Sequence, residues 1–159
     1  MDDVIVPGDA SQLSALIVQK GLKTGLWVHM TSRGGDVSES YAIGRLLRKQ
    51  QATVTHGYCA SSCVFAFLGG VRRATTAAAS GSMKAGLVIH QPHATRSLQA
   101  NNSIFARRML GELKDYCREM TGSDLFHDVM IVVPFESPRA LSTEEAKAMN
   151  VIDLVLGER

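Results

Sequence analysis

Apolar and polar positions along the chain fall into blocks of strand length and helix length. Short apolar or β-branched runs recur between turn residues, which is typical of the strands of an α/β sheet. The run at 26–30 is nearly continuous, which favours a strand covered on both faces. The predicted strands cover residues 4–6, 26–30, 53–55, 87–90 and 151–155.

Between these runs, apolar residues recur at helical spacing. The segment 61–68 has no polar face, which predicts a buried helix, and Cys117 falls on the apolar face of a long helix. Ser142 and Glu145 form a capping box, and Asn150 can end that last helix in a left-handed conformation. The predicted helices cover about 10–19, 37–49, 61–68, 98–120 and 142–150.

This alternation of strands and helices predicts an α/β fold with active groups at the strand ends. The length of 159 residues is that of one domain, 1–159, with a hydrophobic core. A hydrophobic fraction of 45% and a charged fraction of 20% are typical of a globular protein.

Charge and hydropathy exclude some partners. The net charge is +2 without a long basic run, so no nucleic-acid partner is expected, and the pairs Arg72-Arg73 and Arg107-Arg108 are expected to be solvated. No apolar stretch approaches the ~18–20 residues of a membrane-spanning helix. The acidic start has no signal-peptide pattern, so we expect a cytoplasmic protein, or an exported one whose signal was removed.

Three turns carry candidate chemistry. Gly34 and Gly35 follow an apolar strand and can aim an amide at a developing oxyanion. Ser61 and Ser62 stand where a strand gives way to a helix, whose N-terminus favours negative charge. His90 ends another apolar strand. A hydroxyl and an imidazole on one scaffold are the minimum of a serine hydrolase.

Each of these residues also has an ordinary interpretation. A serine at a helix start is often only a cap, and a lone histidine is often structural. The pair His90 and His93 has a metal-like spacing, but a proline intervenes and no third ligand is near, so no metal site and no cofactor are expected. His29, His56 and His127 lie in separate segments and are expected to be structural or at the surface.

The order of the turns resembles the Clp proteases of the Clp-protease/crotonase superfamily, over nearly the whole chain. The most specific match is Ile89-His90-Gln91-Pro92, which resembles the segment with the family's catalytic histidine. The other matching segments are Ser32-Arg33-Gly34-Gly35, with arginine for the family's proline, Gly57-x-x-Ala60-Ser61-x-x-x-Phe65, Leu68-Gly69-Gly70-x-x-Arg73, Thr121-Gly122, Leu141-Ser142, Glu145-Ala146 and Val151-Ile152-Asp153.

The resemblance implies a repeated β-β-α spiral with a C-terminal helical part, and a serine-type endopeptidase that cleaves peptides or proteins. By the match, Ser61 rather than Ser62 is the nucleophile and His90 is the base. The amides of Gly35 and Ser62 would form the oxyanion hole. Lys84 could instead act as the base of a serine–lysine enzyme, but the histidine in the family's own position makes this the lesser interpretation.

Two departures from the family pattern matter. Where the family has an aspartate that orients the histidine, this chain has Pro138, and Glu136 is the nearest acid and the candidate third member. The glycine-rich strand that follows His-Gln-Pro in the family is missing. In the family that strand lines the substrate cleft and helps join rings. Its absence argues against the double-ring barrel and against unfoldase docking, and a smaller homo-oligomer or a monomer stays open.

Cys59 and Cys63 flank the candidate nucleophile. Helical positions four apart have Cα atoms about 6 Å apart, near the upper end of disulfide geometry. A disulfide in an exported chain and two buried thiols both fit this spacing. The Cys-x-Ser-x-Cys setting resembles a bacterial branch of Clp-like proteins that are often exported, which favours the periplasm.

Two classes of function follow, with a third, weaker one. The first is a serine peptidase. The second is a catalytically impaired Clp-like pseudoenzyme that acts as a binding or assembly module. The third is a crotonase-type acyl-CoA enzyme, which shares the scaffold but has no need of the His-Gln-Pro segment.

Overall fold

Strands and helices alternate along the part of the chain that the computed structural model describes, residues 4–93 and 103–157. The strands are β1 (Val4–Ile5), β2 (Trp27–Ser32), β3 (Gly34–Gly35), β4 (Thr53–Ala60), β5 (Arg72–Thr76), β6 (Leu87–Ile89), β7 (Arg139–Ala140) and β8 (Leu154–Leu156). The α-helices are α1 (Asp9–Gln19), α2 (Val37–Lys49), α3 (Ser62–Leu68), α4 (Ile104–Thr121), α5 (Leu125–Met130) and α6 (Thr143–Ala148). A 3₁₀ turn covers Ala77–Ala79.

Six strands form one sheet around β4. Strand β4 pairs with β2, β5 and β6 in parallel, β5 continues to β8, and β6 pairs with β7 in antiparallel register. The short strands β1 and β3 form a separate parallel pair. The carboxyl ends of β2, β4 and β6 therefore meet at one edge, where parallel α/β sheets place their active groups.

The core lies around α3, whose seven residues are all buried. Tyr116 of α4 reaches into this core, and its hydroxyl donates to the Phe65 carbonyl oxygen at 2.7 Å. Cys117 is fully buried beside it, and burial raises the pKa of its thiol to about 12. The predicted buried helix at 61–68 and the core placement of Cys117 are confirmed.

Strand β4 is longer than the predicted strand at 53–55, because it continues through Gly57 to Ala60. A Cβ at Gly57 would lie 2.7 Å from Thr31 Oγ1, so the glycine lets β4 stay beside β2 instead of turning. Consequently Cys59 lies in a strand, and the assumption that both cysteines occupy helical positions was wrong.

Strand β2 is covered on one face only, contrary to the expectation for 26–30. Trp27 is 71% exposed, whereas Val28 and Met30 are partly buried and pack against the core. The strand pairs only with β4, so its other edge has no strand beside it among the described residues. The apolar run at 26–30 therefore belongs to an edge strand whose tryptophan is exposed.

The pair Arg72-Arg73 is not a solvated surface pair. Both residues lie in β5, which the sequence did not predict, and Arg73 is 7% exposed. The Arg73 Nε lies 3.1 Å from the Asp153 carboxylate, and its Nη1 donates to the Met120 carbonyl oxygen. A buried cation is retained here because it has these partners.

The C-terminal elements differ in their bounds. The last strand starts at Leu154 rather than 151, because Val151 is buried and its amide donates to the Ala146 carbonyl oxygen after α6. Asn150 has the predicted positive φ, at 53°. The sequence missed α5 and β7, and residues 98–102 of the predicted long helix lie outside the described residues. No helix among the described residues is long and apolar enough to cross a membrane.

Candidate active site

The three candidate turns are brought together by the register of the sheet. Cys59 of β4 is paired with Ser32 at the end of β2 and with Leu87 of β6. The next residue, Ala60, is paired with Val88. The chain leaving each of these strands therefore carries one of the predicted groups at the same edge of the sheet.

Ser61 occupies a strained backbone conformation between β4 and α3. Its φ is 56° and its ψ is −128°, a region that costs a non-glycine residue about 1–3 kcal/mol. Its side chain makes no capping hydrogen bond, so it does not act as the ordinary helix cap. Its amide donates to the Val88 carbonyl oxygen at 2.9 Å, which fixes the turn to β6. A strained serine between a strand and a helix is the geometry of a nucleophile elbow.

The glycine turn after β2 packs directly against this elbow. A Cβ at Gly34 would lie 2.7 Å from the Ala60 carbonyl oxygen and 2.9 Å from both Ser61 Cβ and the Ser62 amide nitrogen. Only glycine allows this close approach at its φ of 94°.

Gly35 lies between β1 and the cavity described below, which it lines. The next amide, that of Asp36, donates to the Ile5 carbonyl oxygen at 2.8 Å and holds this turn to β1. The role of the Gly35 amide in an oxyanion hole stays a prediction.

The two serines at the start of α3 have different surroundings. Ser61 is partly exposed, whereas Ser62 is fully buried and its Oγ has no hydrogen-bond partner. As the first residue of α3, Ser62 has an amide without an intrahelical acceptor. The geometry thus leaves Ser61 as the accessible hydroxyl and the Ser62 amide as a donor at a helix N-terminus.

His90 is oriented by a backbone carbonyl. Its Nδ1 lies 2.8 Å from the Gln91 carbonyl oxygen, which can only accept, so Nδ1 carries the proton and Nε2 has a free lone pair. Phe135 meets the His90 ring edge-on at a centroid distance of 4.7 Å. The imidazole is therefore held in the tautomer that a general base needs.

Ser61 and His90 line one cavity of about 430 Å³. Among the described residues no hydrogen bond joins Ser61 Oγ to the His90 ring; such bonds often tighten only when substrate is bound. The wall of the cavity is mainly apolar. Its lining residues are Arg33, Gly35, Val37, Ser61, Phe65, Ile89, His90, Pro92, His93, Met109, Met130 and Phe135.

Glu136 and Lys84 lie outside this lining. The side chain of Glu136 is exposed, and the Nδ1 position of His90 is taken by Gln91, so the role of Glu136 as the third member stays a prediction. No group of three metal-ligating side chains occurs among the described residues.

Cys59 and Cys63 form a disulfide across the elbow, with Cα atoms 5.4 Å apart. Both residues are fully buried. The bridge connects the end of β4 to the first turn of α3, so it spans Ser61.

The sequence profile of the family described as Clp protease matches residues 9–159. The chain belongs to the Clp protease family. Clp proteases are serine-type endopeptidases, and that enzyme class applies to this chain. No protein of curated function matches it.

A solved structure, the ClpP1 N165D mutant from Listeria monocytogenes, is similar in fold to this Clp protease. The two superpose with a TM-score of 0.69 at 20% sequence identity, covering 98% of this chain and 88% of that one. The predicted α/β fold of the Clp-protease/crotonase type is confirmed.

The sequence did not predict one residue that packs against the candidate base, Phe135. Phe135 packs against His90, and also against His93 at a centroid distance of 4.1 Å. The sequence analysis considered His90 and His93 together only as a metal pair, which it rejected, and did not predict a shared aromatic neighbour. No pattern indicated Phe135, because its position depends on contacts between distant segments, such as the hydrogen bond from the Gln91 amide to the Val133 carbonyl oxygen.

Proposed function

We propose that this Clp protease hydrolyses peptide bonds with Ser61 as nucleophile and His90 as general base. The observation that carries the proposal is the strained, uncapped Ser61, which shares a cavity with a histidine whose Nδ1 is already protonated. The partly exposed hydroxyl supports the choice of Ser61 over the buried Ser62.

In the proposed reaction, Ser61 Oγ attacks the carbonyl carbon of the substrate while its proton moves to His90 Nε2. The carbonyl oxygen becomes an oxyanion, which the amides of Gly35 and Ser62 stabilise. His90 then gives the proton to the leaving amine, and water hydrolyses the acyl-enzyme by the same route in reverse. The Gln91 carbonyl oxygen keeps His90 in orientation throughout.

Labelling with a fluorophosphonate probe tests the assignment, because the probe modifies an activated serine. We expect the wild type to be labelled, Ser61→Ala to lose labelling, and His90→Gln to slow it about 100-fold or more. Ser62→Ala is the matched control and should be labelled like the wild type, because its hydroxyl is buried. Equal labelling of Ser61→Ala and wild type would overturn the proposal.

The variant Glu136→Gln separately tests whether Glu136 is the third member of a catalytic triad with Ser61 and His90. If the Gln91 carbonyl alone orients His90, labelling of Glu136→Gln stays within about twofold of the wild type. A loss of about 100-fold or more would instead assign the acid role to Glu136.

A second candidate function is a binding or assembly module that has lost catalysis. Two observations favour it: among the described residues no hydrogen bond joins Ser61 Oγ to the His90 ring, and His90 Nδ1 is bonded to a backbone carbonyl oxygen. This function predicts an unlabelled wild type that still binds protein. Labelling of the wild type at Ser61 decides against it.

The compartment and the assembly are further proposals. A disulfide persists in oxidising compartments, which supports the periplasm as the site of action. Clp proteases form oligomers, and we propose a homo-oligomer here. Light scattering on the purified chain measures its mass, and a monomeric mass would contradict that proposal.

A further inference from the structure

The Cys59–Cys63 disulfide occupies a special place in the sheet. Cys59 is the residue at which β4 is paired both with the end of β2, through Ser32, and with β6, through Leu87. The glycine turn, the elbow and His90 follow these three strands. A link anchored at Cys59 is therefore anchored at the residue that sets the relative positions of all three turns.

The other end of the disulfide holds the helix that supplies the Ser62 amide. Cys63 is the second residue of α3, and only residues 60–62 lie between the two cysteines. The strained Ser61 has no side-chain cap to hold it. The hydrogen bond from the Ser61 amide to the Val88 carbonyl oxygen holds the strand side of the turn, and the disulfide holds the helix side.

The size of the closed loop argues against a mainly stabilising role. In the chain-entropy description, a disulfide stabilises a fold more when it closes a longer loop, and this one closes a ring with a sequence separation of only 4. Its sulfur atoms are also buried in an already packed core. Its main effect is local, on the geometry of residues 60–62.

We propose that the Cys59–Cys63 disulfide is a positioning element for the nucleophile, so that the oxidised chain is the active form of the enzyme. This inference rests on the proposed role of Ser61. Without the bridge, the strain at Ser61 can relax, and both its hydroxyl and the Ser62 amide leave the arrangement that the reaction needs. A displacement of about 1 Å at a reacting atom can cost about 100-fold in rate.

The redox step is a thiol–disulfide exchange. A dithiol reductant such as dithiothreitol transfers two electrons and two protons, opening the bridge to two thiols while the reductant closes to a cyclic disulfide. Because both sulfurs are buried, the exchange needs local opening, and the reduced chain is best prepared by refolding with the dithiol present. Cys117, with its raised pKa, stays a thiol in both forms.

The test compares the rate of fluorophosphonate labelling in oxidised wild type, reduced wild type and the double variant Cys59→Ala/Cys63→Ala. We expect the last two to react about tenfold or more slowly than the first. For a cleavable peptide, kcat should fall while KM stays within about twofold, since the cavity wall is unchanged. Cys117→Ala is the matched control: it removes a buried sulfur without touching the bridge, and should keep both the rate and its redox response.

Thermal unfolding and circular dichroism are recorded on each form, so that a rate is compared only between folded proteins. Equal labelling rates in the oxidised and reduced wild type, with or without a change in Tm, would overturn the proposal and leave the bridge a structural link. An unlabelled oxidised wild type would instead mean that the proposed function has failed, so the two failures can be told apart.

Discussion

The Nδ1 atom of His90 donates its hydrogen bond to the carbonyl oxygen of Gln91, the next residue in its own chain. A carbonyl fixes the tautomer as a carboxylate does, but it carries no charge with which to stabilise the imidazolium that forms during catalysis. The Gln91 carbonyl oxygen thus performs one function of a catalytic acid, orienting the histidine, but not the other, stabilising the imidazolium. We therefore expect slower hydrolysis than by an enzyme with a complete Ser-His-Asp triad.

Restoring an acid at Pro138 should raise activity. Val88 is paired with Ala140 and Ile89 with Arg139 in antiparallel register, and one further step places Pro138 opposite His90. We expect Pro138→Asp to increase kcat/KM on a peptide substrate about tenfold or more, because its carboxylate can stabilise the imidazolium. Pro138→Asn is the control, because asparagine has the shape of aspartate without the negative charge. An equal gain in both variants, or none in either, would contradict this prediction.

Gly34→Ala should impair catalysis beyond its effect on the backbone. The new Cβ would press on the Ala60 carbonyl oxygen and on Ser61 Cβ, so the elbow must shift, and kcat should fall about 100-fold. Gly25→Ala is the control, since Gly25 also has a positive φ but has open space around it. Steady-state kinetics on both variants measure the difference, and similar losses would assign the effect to backbone strain alone.

Removing the hydroxyl group should change the free energy of unfolding differently at two buried tyrosines. Tyr116→Phe leaves the Phe65 carbonyl oxygen without its donor, and should lower the free energy of unfolding by about 1–2 kcal/mol. The stacked neighbour Tyr41 has a buried hydroxyl without a partner, so Tyr41→Phe should be neutral or stabilising. Urea unfolding of the two variants checks the contrast. A larger loss for Tyr41→Phe would mean that its hydroxyl has a partner.

The free energy of unfolding should decrease as the pH is lowered, because His56 becomes protonated. Burial lowers the pKa of His56, whose ring bonds to the Gly57 carbonyl oxygen and to Thr75 Oγ1. Its folded pKa therefore lies below the unfolded value of about 6.5. The stability that neutral His56 contributes is complete above that unfolded value, and it is lost as the pH falls from there through the lower folded pKa.

Thermal unfolding of wild type and His56→Gln between pH 8 and pH 5 measures this contribution. The Tm of the wild type should fall more steeply across this range than that of the variant. Parallel curves for wild type and His56→Gln would exclude His56 as the cause.

Local sequence patterns predicted much of the fold, because helix caps, left-handed turns and buried helices depend mainly on residues within the same segment. The capping box at Ser142, the positive φ at Asn150 and the buried α3 all followed from spacing within a few residues. The errors concern pairing between distant segments. The salt bridge between Arg73 and Asp153 joins residues 80 apart, so nothing local shows that Arg73 is buried.

The site follows the same division. The turns at Gly35, Ser61 and His90 were predicted one by one, and a family resemblance set their order; the structure brings these turns together, and their chemical roles stay predictions. The hydrogen-bond partner of His90 could not be predicted in this way, because it is a backbone carbonyl oxygen, which every residue has, and not a side-chain acid. Phe135 was missed because aromatic packing against a histidine leaves no spacing pattern.

The complete burial of α3 has a consequence for how this enzyme could change its substrate. Every residue of α3 is packed into the core, so mutations there affect folding before they affect selectivity. The part of the cavity wall outside α3 includes Met109 of α4 and Phe135 in the loop before β7. Adaptation to new peptides, in nature or in a directed-evolution library, should therefore concentrate on such positions, while the elbow is inherited unchanged.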